Sequence, residues 1–290
     1  MRFQYYPYLY WKTRVKRMWY KPPRFGQVDI SYFGEFGYEL MLVVPYAYFL
    51  HTKGRLRSTR GCTGTKELYY FSTHHTEEQR QRTLQLPEFA PNFTPHVHHL
   101  DRTAWLPPPY KQVYTNARFL YEKPLYIVHN KHAMEWMGKP VNTLSIATLD
   151  SLFSCLKRRY QIVYIRPGFT NNLEKGYTND QNAIQSLPHE HELLTHHHPE
   201  VLTIQSILQQ NSDLTYNQLQ LLLHANCNHF ISVQGGNAVL ASYFGGQNII
   251  LAKMGRELRC GAYAGHYRRY AGTTVIVARS EQDLLSVACA

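Results

Sequence analysis

The sequence has no apolar run long enough to cross a bilayer. Its longest strongly apolar stretch, Leu40 to Leu50, has 11 residues and contains Pro45, whereas a transmembrane helix needs about 20. The first residues also lack the apolar core of a secretory signal peptide. We therefore expect a cytoplasmic protein.

Cysteine is scarce, and the few cysteines follow no ligand or disulfide spacing. There are 5 in 290 residues, an odd number with no CxxC pair. Structural zinc sites and disulfide frameworks use paired cysteines at regular spacings. We expect reduced thiols at all of these positions: Cys62, Cys155, Cys227, Cys260 and Cys289.

Several catalytic signatures are also missing. The chain has no GxGxxG, no P-loop, no GxSxG elbow and no HExxH helix, which disfavours dinucleotide binding, ATP phosphate loops, serine hydrolysis and zinc proteolysis. Its 16 histidines show no ligand spacing. No Asp-x-Asp pair is present to clamp a metal–nucleotide complex. We predict no metal site and no cofactor beyond a bound substrate.

Acidic residues are absent from residues 1–24, the basic aromatic arm. This arm carries +7 of the formal net charge of +11, together with several tyrosines and tryptophans. Such an arm suits peripheral contact with an anionic membrane or with nucleic acid. We favour the alternative, in which the arm packs its aromatic rings on the body and leaves its charges in water. Because charge is nearly balanced elsewhere, the body is not expected to bind nucleic acid.

What the rest of the chain does contain is an alternation of apolar strands and helices. The predicted strands are Gln27–Tyr32, Leu68–Ser72, Val97–Leu100, Leu125–His129, Gln161–Arg166, Val201–Gln205, His229–Gln234, Asn248–Lys253 and Thr273–Ala278. The predicted helices are Tyr38–Leu50, Thr143–Arg159 with Thr143 or Asn142 as its cap, Thr215–Ala225, Gly236–Phe244 and Glu281–Ala288. Apolar strands separated by helices predict parallel sheets covered on both faces. We predict an α/β fold with two Rossmann-like domains facing across a cleft, 25–118 and 119–290.

The most informative motif is a glycine turn between a predicted strand and a helix. It reads Ser232-Val233-Gln234-Gly235-Gly236-Asn237. Glycines there let backbone N–H groups approach a ligand, and a helix N-terminus favours an anion. Ligands of parallel sheets gather at this carboxyl end of the strands. An ordinary tight turn would need the same glycines for its backbone angles.

Cationic and polar side chains follow other strands of the same predicted sheet. Asn130, Lys131 and His132 follow one strand, and Arg166 ends the next. Lys131 and Arg166 are expected to converge on the glycine turn and to stabilise a diphosphate leaving group. Arg256 opens a basic, tyrosine-rich loop, 254–272, that suits a nucleotide clamp. Solvated charges at strand ends are the plain alternative.

Two carboxylates lie in the first strand-to-helix turn, Gly34-Glu35-Phe36-Gly37-Tyr38-Glu39. If both sheets point their strand ends inward, one of these carboxylates faces the cleft and can deprotonate an acceptor hydroxyl. We favour Glu39 slightly over Glu35 because a helix fixes its direction. Glu39 in a first helical turn also suits a purely structural role at the helix dipole.

Two segments resemble GT-B-type glycosyltransferases: YFGEFGYELM (32–41) and FISVQGGNAVLASYFGGQNIILA (230–252). The likeness extends over residues 26–290 in organisation. Within this class, the chain is similar to the small xylosyl- and fucosyltransferases of large DNA viruses such as chloroviruses. The resemblance implies a nucleotide-sugar donor held by the C-terminal half and a glycan or glycoprotein acceptor held by the N-terminal half. It implies metal-independent, inverting transfer from a UDP-sugar, with a xylose-like pentose preferred. A cytoplasmic location in an infected host cell would follow.

The resemblance assigns roles to particular residues. Gly235, Gly236 and Asn237 would lie against the diphosphate with Lys131 and Arg166 nearby, and Glu39 or Glu35 would be the base.

Two other functional classes remain open. One is a non-enzymatic protein that binds RNA or polysaccharide through its basic arm and the loop at 254–272. The other is a different α/β transferase, moving phosphate or sulfate, which the missing phosphate loop disfavours.

Overall fold

The computed structural model describes residues 26–83, 85–87, 90, 104–134, 139–167, 186–259 and 261–290. The basic aromatic arm and the predicted strand Val97–Leu100 lie outside these residues. Among the described helices, none has the length and apolar character needed to traverse a bilayer.

The first sheet contains three parallel strands in the order β1-β2-β3. They are β1 (Val28–Ser31), β2 (Leu56–Cys62) and β3 (His75–Glu78). Only β1 matches a predicted strand, because β2 and β3 are polar and carry arginine or glutamate on an exposed face. The predicted strand at Leu68–Ser72 is wrong, since Lys66–Tyr69 forms a 3-10 helix instead.

The helix that follows β1 contains an unusual turn. Helix α1 comprises Phe36–Tyr38, a π-helical segment Glu39–Val43, and Val44–Thr52. Pro45 has no amide hydrogen to give the preceding turn. The carbonyls of Leu40 and Met41 instead accept hydrogen bonds from distant side chains, the Tyr243 hydroxyl at 2.6 Å and the Trp105 indole at 2.9 Å.

The second sheet has six parallel strands in the order β6-β5-β4-β7-β8-β9. The strands are β4 (Leu125–His129), β5 (Gln161–Ile165), β6 (Leu202–Thr203), β7 (His229–Val233), β8 (Gln247–Leu251) and β9 (Thr274–Ala278). Each matches a predicted strand, with β6 shorter than expected. Chain order reverses between β4 and β7, so the topological switch point lies between their carboxyl ends.

Helices cover both faces of this sheet. The remaining α-helices of the described residues are α2 (Tyr110–Tyr114), α3 (Ile146–Leu156), α4 (Glu190–Glu192, continued by the π-helical Leu193–His197), α5 (Ile204–Gln210), α6 (Tyr216–Ala225), α7 (Gly236–Ser242), α8 (Arg256–Arg259) and α9 (Glu281–Ala288). A short 3-10 helix covers Tyr267–Arg269. Short helices α4, α5 and α8 replace predicted loop or strand. Helix α3 begins after Ser145, whose side chain accepts from the Thr148 amide, and not after Asn142 or Thr143.

One disulfide corrects the expectation that every cysteine is reduced. Cys155 at the end of α3 is bonded to Cys289 just after α9, and their Cα atoms lie 5.8 Å apart. The two residues are 134 positions apart in sequence, so no local spacing signals the pair. Cys62 and Cys227 are free and buried, as expected.

The disulfide should contribute measurably to stability, because it closes a loop of 134 residues. Replacing Cys289→Ser should lower the free energy of unfolding by about 2–4 kcal/mol, chiefly through greater freedom of the unfolded chain. Urea denaturation under oxidising conditions measures the loss. Wild-type protein in dithiothreitol should then match the variant; equal stability of the oxidised wild type and the variant would contradict the assignment.

Candidate functional site

The two glycine turns singled out in the sequence contact each other. The first, residues 34–37, follows β1; the second, Gly235-Gly236, follows β7. A Cβ at Gly236 would lie 2.9 Å from Cδ1 of Phe36 and 3.4 Å from the Gly37 nitrogen. Any side chain there would push the turns apart. The carboxyl ends of β1 and β7 therefore meet, as the predicted inward orientation of both sheets requires.

Lys131 lies against the second turn. Gly235 has φ +136°, a conformation that favours glycine, and a Cβ on it would lie 3.0 Å from the Lys131 Nζ. Lys131 follows β4, which pairs with β7, so strand order brings the ammonium to the turn. An ammonium beside the backbone of a glycine turn suits a diphosphate. Lys131 thus meets the predicted glycine turn at Gly235.

Gln234 lies just before the glycines, with its amide oriented by an acid that sequence reasoning did not select. Its Nε2 donates to Oε2 of Glu257 at 2.7 Å, and the carboxylate fixes which way the amide points. The Gln234 Oε1 is buried and makes no hydrogen bond within the described part of the chain. Gly255 leaves space for this amide, since a Cβ there would lie 1.6 Å from Nε2.

Asn237 and Arg256 complete the predicted donor residues around this turn. Asn237 is half-buried in the first turn of α7. Arg256 begins α8, but its side chain lies outside the described part of the structure.

Two predicted donor residues are buried and hydrogen-bonded internally. The Asn130 Oδ1 accepts from the amides of Lys131 and Leu144, each at 2.9 Å, which holds Lys131 in place. The Ser232 hydroxyl donates to the Asn248 Oδ1 at 2.8 Å. Both side chains are fully buried, so they support the carboxyl edge of the sheet and do not face a ligand.

Arg166 is also placed differently from the expectation of a diphosphate ligand. It is buried, its Nε lies 2.5 Å from the Glu190 Oε1, and its Nη2 bonds the Glu190 Oε2. Glu190 neutralises the guanidinium and is itself buried. The pair ties β5 to α4. His132 is half-buried, with Nδ1 2.9 Å from the Ser186 carbonyl.

The preference for Glu39 over Glu35 is not supported, because Glu39 is inaccessible. It is fully buried in the π turn, accepts from the Tyr69 hydroxyl at 2.9 Å, and pairs with Arg82, whose Nη1 lies 2.6 Å from its Oε2. Glu35 is half-buried and precedes α1 as its N-cap residue. Of the two carboxylates, Glu35 therefore lies on the outer side of the turn.

A second acid that the sequence did not point to organises the loops at this edge. The Glu281 Oε2 accepts from the Ser145 amide at 2.9 Å and from the Thr148 hydroxyl, while Lys253 lies 2.6 Å from Oε1. Although burial alone would raise it, these partners lower the pKa of Glu281 to about 2. Asn142 adds bonds to the Lys253 amide and the Met254 carbonyl, each at 2.9 Å. The segments after β4, β8 and β9 are thus joined.

The tyrosines of residues 254–272 are core residues. Tyr263, Tyr267 and Tyr270 are buried, while Arg268 and Arg269 are exposed. Binding of single-stranded nucleic acid depends on exposed rings on which bases can stack. These three rings are therefore not available for bases to stack on. The RNA-binding alternative keeps the basic residues of this loop but is not supported by its tyrosines.

The described residues contain no cluster of three or more His, Cys, Asp or Glu side chains that could hold a metal ion.

Comparisons with known proteins give structural neighbours only. No family model and no curated protein matches the chain. The ADP-heptose LPS heptosyltransferase II of E. coli superposes with a TM-score of 0.54 at 10% identity, covering 90% of this chain and 98% of that one. A family 9 glycosyl transferase from Veillonella parvula gives a TM-score of 0.49 at 8% identity, covering 92% and 90%.

The fold is that of the GT-B glycosyltransferases. The predicted pair of Rossmann-like α/β units is thereby confirmed, while the boundary between residues 118 and 119 stays a prediction. Neither neighbour is described as a viral xylosyl- or fucosyltransferase, so that narrower likeness also stays a prediction. At 10% identity, the structural likeness establishes the fold alone. The chemistry has to be argued from the residues of this chain.

Close to the site, a pair of histidines is buried at the end of β4. The Nε2 atoms of His129 and His224 lie 2.7 Å apart, and the His224 Nδ1 lies 2.5 Å from the Gln220 carbonyl. That carbonyl requires a proton on Nδ1, so the neutral His224 accepts through Nε2 from His129. Burial lowers the pKa of His129, which His224 lowers further, and burial lowers the pKa of His224 to about 3.

This pair should make the fold acid-sensitive. In the unfolded chain both histidines bind protons near pH 6.5, so their contribution is complete above that pH and is lost as pH falls toward 3. At pH 5 the loss from His224 is roughly 2 kcal/mol. Urea denaturation between pH 7 and 5 should show a shallower decline for His224→Gln than for wild type. Parallel declines would contradict the neutral buried pair.

Proposed function

We propose that the protein is a glycosyltransferase that moves a sugar from a nucleoside diphosphate sugar to a hydroxyl of a glycan or glycoprotein. The observation that carries this proposal is the contact between the two glycine turns, with Lys131 against one and Glu35 on the other. The second turn would bind the phosphates, and the first would supply the carboxylate. The shared GT-B fold supports the same conclusion.

The donor side would be formed by the second sheet. Lys131 and the backbone N–H groups of Gly235 and Gly236 would hold the diphosphate, and they would stabilise its charge as the leaving group departs. The buried Gln234 Oε1 would accept a hydrogen bond from the donor, and Asn237 would lie beside the phosphates. His132 and Arg256 remain proposed contacts at the rim of this site.

The acceptor side would be formed by the first turn. The acceptor oxygen would attack the anomeric carbon as the bond from that carbon to the diphosphate oxygen breaks, and the hydroxyl proton would pass to Glu35. Attack opposite the leaving group inverts the anomeric configuration. We propose that no metal is needed, on the ground that the sequence has no Asp-x-Asp pair.

We further propose a UDP-linked pentose such as xylose as donor, following the sequence resemblance. The heptosyltransferase neighbour is named for ADP-heptose, so an adenine nucleotide is the first competitor to test. The arm at residues 1–24 is proposed to contact an anionic membrane peripherally, and the protein to act in the cytoplasm.

Calorimetric titration with UDP, GDP and ADP, with and without EDTA, tests the donor site. One nucleotide should bind, unaffected by EDTA, and Lys131→Ala should weaken its binding about 10- to 100-fold, as expected for loss of a charge-assisted contact. Lys123→Ala is the matched control, since Lys123 precedes β4 at the opposite edge of the sheet. Equal affinities in both variants would remove Lys131 from the site.

Replacing Glu35→Gln tests the proposed base. Turnover should fall by about 10²–10⁴-fold, since the amide cannot take up the acceptor proton, while nucleotide affinity stays within about twofold, because the donor contacts lie on the other turn. Radiolabelled sugar transfer and calorimetry measure the two quantities. The exposed Glu122→Gln should leave both unchanged, and full activity of Glu35→Gln would exclude the carboxylate base.

A further inference from the structure

Arg82 is a buried cation bound to the first turn from a distant part of the chain. It follows β3, is 3% exposed, and lies 48 positions after Gly34. Its Nη1 donates to the Gly34 carbonyl at 2.8 Å and lies 2.6 Å from the Glu39 Oε2. Glu39 supplies the opposite charge that a buried guanidinium requires.

The same guanidinium also contacts the other side of the turn. Its central carbon lies 5.2 Å from the centre of the Phe36 ring, within the range of a cation–π interaction. Gly34 and Phe36 are the two neighbours of Glu35, so one side chain contacts the residues on both sides of it. Phe36 in turn lies against Gly236. The position of Arg82 therefore bears on Glu35 and on the spacing between the two turns.

The contacts of Arg82 also separate the two halves of the site. Arg82, Glu39 and Tyr69 all belong to the first half of the chain and lie behind the first turn. Lys131 and Gly235 follow strands of the second sheet. A change at Arg82 should consequently move the turn that carries Glu35 and leave the diphosphate contacts in place. Buried ion pairs add little net stability compared with apolar packing. Stabilisation of the fold alone therefore does not explain why Arg82 and Glu39 form such a pair.

We infer that Arg82 is a positioning residue, which holds Glu35 at the distance from the donor that proton transfer and attack require. This inference rests on the proposed glycosyl transfer. In the proposed reaction, Arg82 does not contact the reacting atoms. It acts through the backbone of Gly34 and the ring of Phe36.

The variant Arg82→Lys tests this role. Lysine keeps a positive charge for Glu39, but its single ammonium cannot also match the planar contacts to Gly34 and Phe36. We expect kcat for sugar transfer to fall about 10- to 100-fold, the effect of misplacing a catalytic group by roughly 1 Å. The nucleotide dissociation constant and the donor KM should stay within about twofold.

Two further variants separate positioning from stability. Arg57→Lys changes an exposed arginine paired with Asp29 in the same sheet and should leave kcat unchanged. Tyr69→Phe removes a buried hydrogen bond to Glu39 without touching Gly34 or Phe36, so it should lower the melting temperature and leave kcat of the folded enzyme unchanged. If Arg82→Lys does not fold, Phe36→Leu removes the cation–π contact but keeps an apolar side chain against Gly236, and it should lower kcat in the same direction.

The outcomes distinguish this inference from the function on which it rests. A wild-type kcat in folded Arg82→Lys, or in Phe36→Leu when Arg82→Lys does not fold, would overturn the positioning role while leaving glycosyl transfer intact. A parallel loss of nucleotide affinity and kcat would also overturn it, because the effect would then be general. Wild-type protein that binds no nucleotide and transfers no sugar would refute the proposed function, and the inference with it.

Discussion

Backbone contact between the two glycine turns is the constraint around which the candidate site is built. The space between Gly236 and the pair Phe36 and Gly37 is too small for a side chain. The carboxyl edges of the two sheets are therefore in direct contact at this point. Residues that follow strands of both sheets therefore lie near the contact between the turns. Lys131 comes from β4, Gln234 from β7 and Glu35 from the turn after β1, and none is close to the others in sequence.

One of the hydrogen bonds that hold the halves in this relation forms where a proline leaves helix carbonyls without their usual partner. Pro45 cannot donate to the turn before it, and Tyr243 and Trp105 satisfy the carbonyls of Leu40 and Met41. Tyr243 belongs to the second half, so the irregular turn of α1 is completed across the interface. Asn217 of α6 likewise donates to the Gly64 carbonyl. The juxtaposed turns are consequently held in place by contacts of the folded core.

Electrostatics divides the cations near the site into two groups. Arg82 and Arg166 are buried and each is neutralised by a buried glutamate, Glu39 or Glu190. These pairs anchor the first turn and the α4 segment, and their charges are balanced within the protein. Lys131 is partly exposed and lies against a glycine turn. Its position suits a ligand's negative charge, whereas the positions of the two arginines suit internal structure.

Hydrophobic periodicity and glycine-containing turns identified the second sheet, because its central strands are buried along nearly their whole length. They also located both glycine turns and Lys131, which depend only on strand ends. Burial and long-range pairing needed the tertiary structure. Polar β2 and β3 carry no apolar signal, Cys155 meets Cys289 across 134 residues, and Arg82 reaches Glu39 from another segment. A sequence shows which side chains follow a strand, but burial depends on how distant segments pack. That packing buries Glu39 fully against Tyr69 and Arg82 and leaves Glu35 half-buried.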